Sequence, residues 1–261
     1  MLRNATNLLT KWNARKNQKP LIVWGARQVG KTYLVKDIFA EEYYSNSYIY
    51  IDFKIEDKIR DFCDHTANAE KIIEYICLYK GKDITKNTLL IFDEIQECPN
   101  IISSLKYFCQ DFREIPIIAT GSMVRIRLQR ELTRNGSTQK FMFPVGKIEQ
   151  LTIYPLSFDE FLLNSNEKLF NVTKKAYESR TPLSSSIHEL VLNEFYKYLL
   201  IGGMLEAVNT YFESNSFLES RRVLKDLYDN YLSDMELYQA SRESCLRSKN
   251  LFSNIQIYMD S

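Results

Sequence analysis

The chain has 261 residues, of which 45% are hydrophobic and 26% charged, and its formal net charge at pH 7 is +1. These values are typical of a globular protein, and the length suits one large domain or a core with a smaller second domain. A net charge near zero gives no overall field that would attract nucleic acid or a membrane surface.

Alternating strands and helices are predicted from the N-terminus to about residue 155. Apolar residues indicate an amphipathic helix over residues 1–19 and a short buried strand at residues 21–24. Further strands are predicted at residues 48–53, 89–92, 115–120 and 151–154, with helical segments at 33–40, 55–80 and 101–112. This alternation predicts an α/β fold with a parallel sheet, whose ligands lie at the carboxyl ends of the strands.

The first strand leads into Gly-Ala-Arg-Gln-Val-Gly-Lys-Thr at residues 25–32, which satisfies the P-loop pattern G-x-x-x-x-G-K-[ST]. Backbone N–H groups of such a loop and of the following helix converge on phosphate. Lys31 would reach the β- and γ-phosphates, and the Thr32 hydroxyl would coordinate Mg²⁺. The motif predicts a site for a nucleoside triphosphate with magnesium, formed by Gly25, Ala26, Arg27, Gln28, Val29, Gly30, Lys31, Thr32 and Tyr33.

Two adjacent acids, Asp93 and Glu94, follow the strand predicted at residues 89–92. Acids at the end of an apolar strand, in a chain that also carries a P-loop, are typical of a Walker B element. We expect Asp93 to hold the magnesium shell and Glu94 to polarise a water for in-line attack on the γ-phosphate. No N-K-x-D stretch occurs, so the usual guanine-reading element is missing and ATP is favoured over GTP.

Hydroxyl groups end the next predicted strand, at Thr120 and Ser122. If this strand neighbours the one that ends at Asp93, one of the two hydroxyls could contact the γ-phosphate or the attacking water, and Ser122 is a candidate for this catalytic role. The alternative is that the hydroxyls satisfy the turn around Gly121.

A basic segment follows between Arg125 and Lys147, where Glu131 is the only acid. An arginine from the same chain or from a neighbouring subunit stabilises the charge that develops during phosphoryl transfer. Arg125, Arg127 or Arg130 could be such a finger. The segment could equally contact nucleic acid or form a solvated loop.

The strand pattern stops near residue 156. Helices are predicted at residues 158–163, 188–201 and 217–238, and the polar residues 164–186 between them read as an exposed excursion. We therefore divide the chain into a core with its N-terminal helix at residues 1–155 and a small helical subdomain at residues 156–232.

The apolar runs and the cysteines also bear on the cellular setting. No apolar run approaches the roughly 18 residues that span a bilayer, and no signal peptide is visible. The five cysteines contain no C-x-x-C pair, so we expect buried free thiols rather than disulfides or zinc ligands. These features predict a cytoplasmic protein without a membrane partner.

Six motifs in order give the chain a family resemblance: residues 24–32, 92–96, 119–122, 143–147, 154–161 and 201–204. Together they resemble the prokaryotic AAA-type ATP-binding proteins that carry a C-terminal domain of unknown function. The resemblance spans about residues 8–240. It implies a five-stranded parallel sheet with a helical lid, and it places Lys31, Thr32, Asp93 and Glu94 in the roles given above, with Thr120 or Ser122 at the sensor position.

The chain departs from this family pattern in two places. Relatives continue Gly-Gly-Met with a proline where this chain has Leu205, which implies a less rigid turn. Relatives also run well past 261 residues, so the resemblance implies that residues 233–261 begin a truncated C-terminal domain.

Three functions are consistent with these residues. The leading hypothesis is an ATPase that binds Mg-ATP and hydrolyses it as a motor or switch for an unidentified protein client, with a homo-oligomer as a further possible assembly. The alternatives are a P-loop phosphotransferase and an ATP-gated module that binds DNA or protein without hydrolysis. The basic residues near the N-terminus and the basic segment would serve the DNA-binding alternative, which the net charge does not favour.

Overall fold

The computed structural model describes residues 1–16, 18–45, 47–122, 143–238 and 242–254. Its centre is a five-stranded sheet in the order β2-β3-β4-β1-β5, in which every neighbouring pair is parallel. The strands are β1 (Leu21–Gly25), β2 (Tyr48–Asp52), β3 (Leu89–Asp93), β4 (Ile117–Gly121) and β5 (Glu149–Ile153). The predicted α/β class and the parallel sheet are confirmed, and β3 and β4 are neighbours, as the sensor hypothesis requires.

Helices cover both faces of the sheet, because its inner strands are apolar on both sides. In β1, Ile22 packs into one core while Leu21 and Val23 pack into the other. The first core is covered by α3 (Asp57–Asp64), α4 (Ala69–Lys80) and α5 (Pro99–Asp111); the second is covered by α1 (Asn4–Asn13) and by α2, which begins at Tyr33.

The buried residues of the helix after the P-loop follow a different spacing from the predicted α-helical one. α2 is wound as a π-helix over Tyr33–Ala40 and ends in an α-helical turn at Glu41–Tyr43. The sequence suggested that Leu34 pairs with Ile38 and Val35 with Phe39. In a π-helix the hydrogen bonds join residues five apart, so Leu34 aligns with Phe39 and Val35 with Ala40, and these four are the buried residues.

The helical segment predicted at residues 55–80 is two helices, α3 and α4. Asn68 divides them, because its side-chain oxygen accepts a hydrogen bond from the Lys71 N–H at 3.1 Å and so caps the start of α4. Gly81, in the left-handed conformation with φ +61°, ends α4.

The second half of the described chain is helical, as predicted, but with different elements. The helices are α6 (Phe158–Ser165), α7 (Glu167–Ser179), α8 (Ser185–Ile201), α9 (Leu205–Ser214), α10 (Phe217–Tyr238) and α11 (Arg242–Ser253). The mostly exposed helix α7 lies within residues 164–186, where no helix was predicted, and α9 was not predicted either. α10 passes through the boundary proposed between residues 232 and 233.

Close contacts hold the start of the helical half, both within that half and against the core. The Leu156 N–H donates to the Gly203 carbonyl at 2.7 Å, and a Cβ at Gly203 would lie 2.2 Å from the Leu156 carbonyl oxygen. Only glycine permits this approach, which explains the second glycine of the last family motif. Arg3 joins this half to the core: it is buried, forms an ion pair with Glu160 of α6, and donates to the carbonyls of Val29 at 3.1 Å and Tyr154 at 2.6 Å.

The described helices and cysteines bear on the expectations for membrane spans and disulfides. In the described ranges, no helix combines the length and the apolar character needed to cross a bilayer. All five cysteines are free thiols; three are buried and two half-buried.

Candidate functional site

The P-loop lies where its motif requires, between the end of β1 and the start of α2. β1 lies between β4 and β5 and is parallel to both. Because the loop follows the end of β1, it lies at the carboxyl edge of the sheet. Gly25 is packed so tightly against β5 that a Cβ there would lie 2.5 Å from the Ile153 carbonyl oxygen. The close approach of β5 therefore requires glycine at position 25, in addition to the requirement of the loop motif.

Lys31 is turned into the loop. Its Nζ donates to the carbonyl oxygens of Gly25 at 3.0 Å and Ala26 at 2.8 Å, and the residue is only 6% exposed. Burial lowers the pKa of Lys31, and the nearby carboxylates of Glu94 and Asp93 oppose that shift. The ammonium group thus lies inside the loop and within electrostatic range of both acids.

Asp93 is the centre of a hydrogen-bond network at the end of β3. Its Oδ2 accepts from the Thr32 hydroxyl at 2.8 Å and from the Tyr50 hydroxyl at 2.7 Å. Its Oδ1 accepts from the Thr120 hydroxyl and from the Glu94 N–H, the latter at 3.0 Å. A carboxylate offers about four lone-pair sites, so protein donors satisfy this carboxylate, which is only 2% exposed.

Glu94 comes directly after Asp93 but points elsewhere, because its backbone is in the left-handed conformation with φ +53°. Its carboxylate accepts a hydrogen bond from the Gln96 amide. Gln96 in turn accepts from the Ser122 N–H at 3.2 Å. Glu94 is half-buried and lines the cavity beside Lys31.

The two sensor candidates occupy different places. Thr120 uses its hydroxyl to bind Asp93, whereas Ser122 is buried and uses its backbone N–H to bind Gln96. Thr120 therefore contacts Asp93 directly, whereas Ser122 is linked to Glu94 through Gln96. Which hydroxyl, if either, meets a nucleotide stays a prediction.

A cavity of about 720 Å³ lies between the P-loop and the helical half. Its P-loop wall carries basic groups and its helical wall carries polar and acidic groups, so charges of both signs face the same space. Lining residues include Lys31, Thr32 and Tyr33 from the loop, Lys54 and Glu94 from the strand ends, and Leu205, Asn209, Asn230, Tyr231 and Asp234 from the helices.

The helical wall is bound to the P-loop through Arg27. The Tyr231 hydroxyl donates to the Arg27 carbonyl at 2.8 Å, and the Arg27 guanidinium forms an ion pair with Asp234. Within the described part of the chain, Oδ2 of Asp234 is buried and has no hydrogen-bond partner. An acceptor is therefore left unused beside the cavity.

Comparison with known proteins places this site in a family. Residues 17–162, more than half of the chain, match a family described as an AAA domain. The chain belongs to the AAA domain family. Among curated proteins, none matches this chain.

Two solved structures match this chain. One is the Walker-type ATPase Paby2304 of Pyrococcus abyssi, with a TM-score of 0.51 and 15% identity over 90% of this chain and 75% of that one. The other is AMPPCP-bound DnaA from Aquifex aeolicus, with a TM-score of 0.45 and 13% identity over 95% of this chain and 77% of that one. At such identities the likeness to the first is one of fold.

The matched AAA domain contains only one wall of the cavity. The P-loop, the acid pair and the end of β4 lie within residues 17–162. Asn209, Tyr231 and Asp234 lie outside that range. The helical wall is therefore a feature of this chain that the family match does not describe.

Three residues of the candidate site were missed by sequence reasoning. Tyr50 was counted only as part of a strand, although its hydroxyl binds Asp93; burial, followed by that hydrogen bond, raises its pKa. Gln96 lies in the motif at residues 92–96 but had no predicted role, and Asp234 was assigned to another domain. The pairing of β2 with β3 is the signal that could have found Tyr50.

The expectations of an arginine finger and of a metal site are tested only in part. Arg125, Arg127 and Arg130 lie outside the described residues. In the described ranges, no group of three or more His, Cys, Asp or Glu side chains is arranged to hold a metal by itself.

Proposed function

We propose that this AAA domain protein binds Mg-ATP and hydrolyses it as a switch or motor for a protein client. One observation carries the proposal: the P-loop cation Lys31, the loop hydroxyl of Thr32 and the carboxylate of Glu94 line one cavity, and Asp93 binds Thr32. A phosphate chain in the loop would meet a cation, a hydroxyl and a carboxylate base together.

The triphosphate would lie against the P-loop. Its phosphate oxygens would take the place of the carbonyls of Gly25 and Ala26 as partners of the Lys31 ammonium group, because charge-assisted hydrogen bonds are the stronger ones. We assign the loop contacts to the residues predicted from the motif, namely Gly25, Ala26, Arg27, Gln28, Val29, Gly30, Lys31, Thr32 and Tyr33.

The oxygen-bearing side chains at this site fit Mg²⁺. Magnesium prefers oxygen ligands and is usually held by one or two protein groups together with substrate phosphates. Thr32 supplies the hydroxyl oxygen. Since four protein donors already occupy Asp93, we assign Asp93 the task of orienting Thr32 and adding negative charge behind the ion. The ion would neutralise charge on the phosphates.

Glu94 supports water as the acceptor of the phosphoryl group. It is half-buried, lines the cavity and has its carboxylate oriented by a hydrogen bond, as a general base requires. The DNA-binding alternative loses one of its basic residues, because Arg3 is buried among carbonyls and a carboxylate.

Phosphate release by three proteins tests the proposal: the wild type, Lys31→Ala and Glu94→Gln, each with Mg²⁺ and with excess EDTA. We expect Lys31→Ala to lose Mg-ATP binding in calorimetry. Glu94→Gln should bind Mg-ATP but release phosphate about 10²–10⁴-fold more slowly, and EDTA should stop release by the wild type.

The same assay separates the alternatives. Hydrolysis is ruled out if the wild type binds Mg-ATP yet releases phosphate no faster than Glu94→Gln, with or without DNA. Phosphate found on a co-purified small molecule would instead support a phosphotransferase, and stimulation by DNA would support the DNA-binding module.

A further inference from the structure

Gln96 lies between the acid pair and β4. It is in the short 3₁₀ turn Ile95–Glu97 and is only 4% exposed, so water competes little for its amide. Its oxygen accepts from the Ser122 N–H at 3.2 Å. A backbone N–H can only donate, so this contact fixes which end of the amide is the oxygen.

The orientation of the amide determines what Glu94 receives. With the oxygen directed to Ser122, the NH₂ group of Gln96 faces Glu94 and donates to its Oε2. The Glu94 backbone is in the left-handed region at φ +53°, where a residue other than glycine is held by its surroundings. The direction of this carboxylate is thus fixed by both the backbone turn and the Gln96 amide.

The end of β4 holds both acids. Thr120 binds Asp93 with its hydroxyl, and two positions later Ser122 binds Gln96 with its backbone N–H. Because β4 pairs with both β3 and β1, one rigid strand sets the direction of the two acids relative to the P-loop.

We propose that Gln96 is a positioning residue that holds the Glu94 carboxylate in the direction needed to orient the attacking water. The inference rests on the proposed ATPase function. Gln96 is buried behind Glu94 and acts through it. A general base must lie within hydrogen-bond reach of the proton that it takes, and a displacement of about 1 Å can cost about 10²-fold in rate.

The test compares kcat, KM and the Kd for Mg-ATP of the wild type with those of Gln96→Met. Methionine has a similar length and fills the buried space, but it cannot donate to Glu94. We expect kcat to fall about 10–100-fold while KM and Kd stay within about twofold, since the P-loop contacts remain. Gln150→Met is the matched control, because the Gln150 amide oxygen accepts a hydrogen bond from the Trp24 indole N–H on an exposed part of the sheet.

A second comparison separates positioning from general damage. In a Glu94→Gln background, Gln96→Met should lower kcat no further than about twofold, because the group on which Gln96 acts is already gone. Gln96→Asn keeps an amide but is too short to reach both partners, so it should share the loss in kcat while remaining folded by circular dichroism.

Each outcome gives a decision. A wild type that hydrolyses ATP, with Gln96→Met and Gln96→Asn equally active, overturns the inference and leaves the proposed function intact. Equal losses of kcat in the Glu94 and Glu94→Gln backgrounds overturn it as well. A wild type no faster than Glu94→Gln overturns both. A loss confined to kcat and absent in the Glu94→Gln background supports the inference.

Discussion

Removal of the Arg3 side chain should strongly destabilise the described fold. Its guanidinium forms an ion pair with Glu160 at 3.3 Å, and the two side chains are only 6% and 8% exposed. The same guanidinium donates to the carbonyls of Val29 in the P-loop and Tyr154 after β5. One side chain therefore joins the P-loop, the sheet and the first turn of α6.

The cost of Arg3→Ala follows from this burial. Removing one partner of a buried ion pair leaves the other charge uncompensated and costs about 3–5 kcal/mol. Two carbonyls lose their donor at the same time. Arg3→Lys should lose less, but it cannot restore the planar fork of donors that serves three acceptors.

Urea denaturation followed by circular dichroism measures the loss. Arg15→Ala is the control, because Arg15 also pairs with a glutamate, Glu149, but its side chain is 55% exposed. We expect Arg15→Ala to cost about 0–1 kcal/mol. If Arg3→Ala lowers the free energy of unfolding no more than Arg15→Ala does, burial does not govern the strength of this pair and the reasoning is refuted.

Three further variants are expected to act on the site. Gly25→Ala should abolish Mg-ATP binding in calorimetry, because the new Cβ would lie 2.5 Å from a backbone oxygen of β5. Thr120→Val should lower the free energy of unfolding by about 1–3 kcal/mol in urea, because Asp93 loses a buried donor. Asp234→Asn should strengthen Mg-ATP binding by about tenfold, since the ion pair that Asp234 forms with the Arg27 guanidinium is lost.

These three expectations have clear contrary results. Retained binding by Gly25→Ala would mean that β5 can yield to the methyl group. An unchanged free energy of unfolding for Thr120→Val would mean that Asp93 does not need that hydroxyl. For Asp234→Asn, the control is Asp229→Asn on the exposed side of the same helix; equal affinities of both variants would remove Asp234 from the binding energetics.

Local patterns predicted much of the fold because they act over a few residues. Apolar runs gave the five strands, and the P-loop and the Asp93–Glu94 pair follow from motifs that each occupy one short stretch. The π-helical winding of α2 could not be read in this way, since residues 34, 35, 39 and 40 are equally compatible with a helix of either hydrogen-bond pattern. Packing against the sheet decides between them.

The rest of the site depends on contacts between distant parts of the chain. Tyr50 reaches Asp93 because β2 lies beside β3, and Arg3 is buried because the chain brings residue 160 back to it. A basic residue near the N-terminus looks solvent-exposed in a sequence, since nothing local shows that a carboxylate and two carbonyls surround it. Asp234 was missed for the same reason.

The double attachment of Arg27 to α10 has a mechanical consequence. Tyr231 of this helix binds the backbone carbonyl of Arg27, and Asp234 binds the Arg27 side chain. Tyr231 and Arg27 are 204 positions apart in the sequence. From Asp234 to Phe217, α10 is about 25 Å long at 1.5 Å per residue. A tilt of about 10° at the loop would carry the far end about 4 Å. A small rotation of this loop, which we expect to bind phosphate, would therefore be amplified into a larger displacement at the far end of α10.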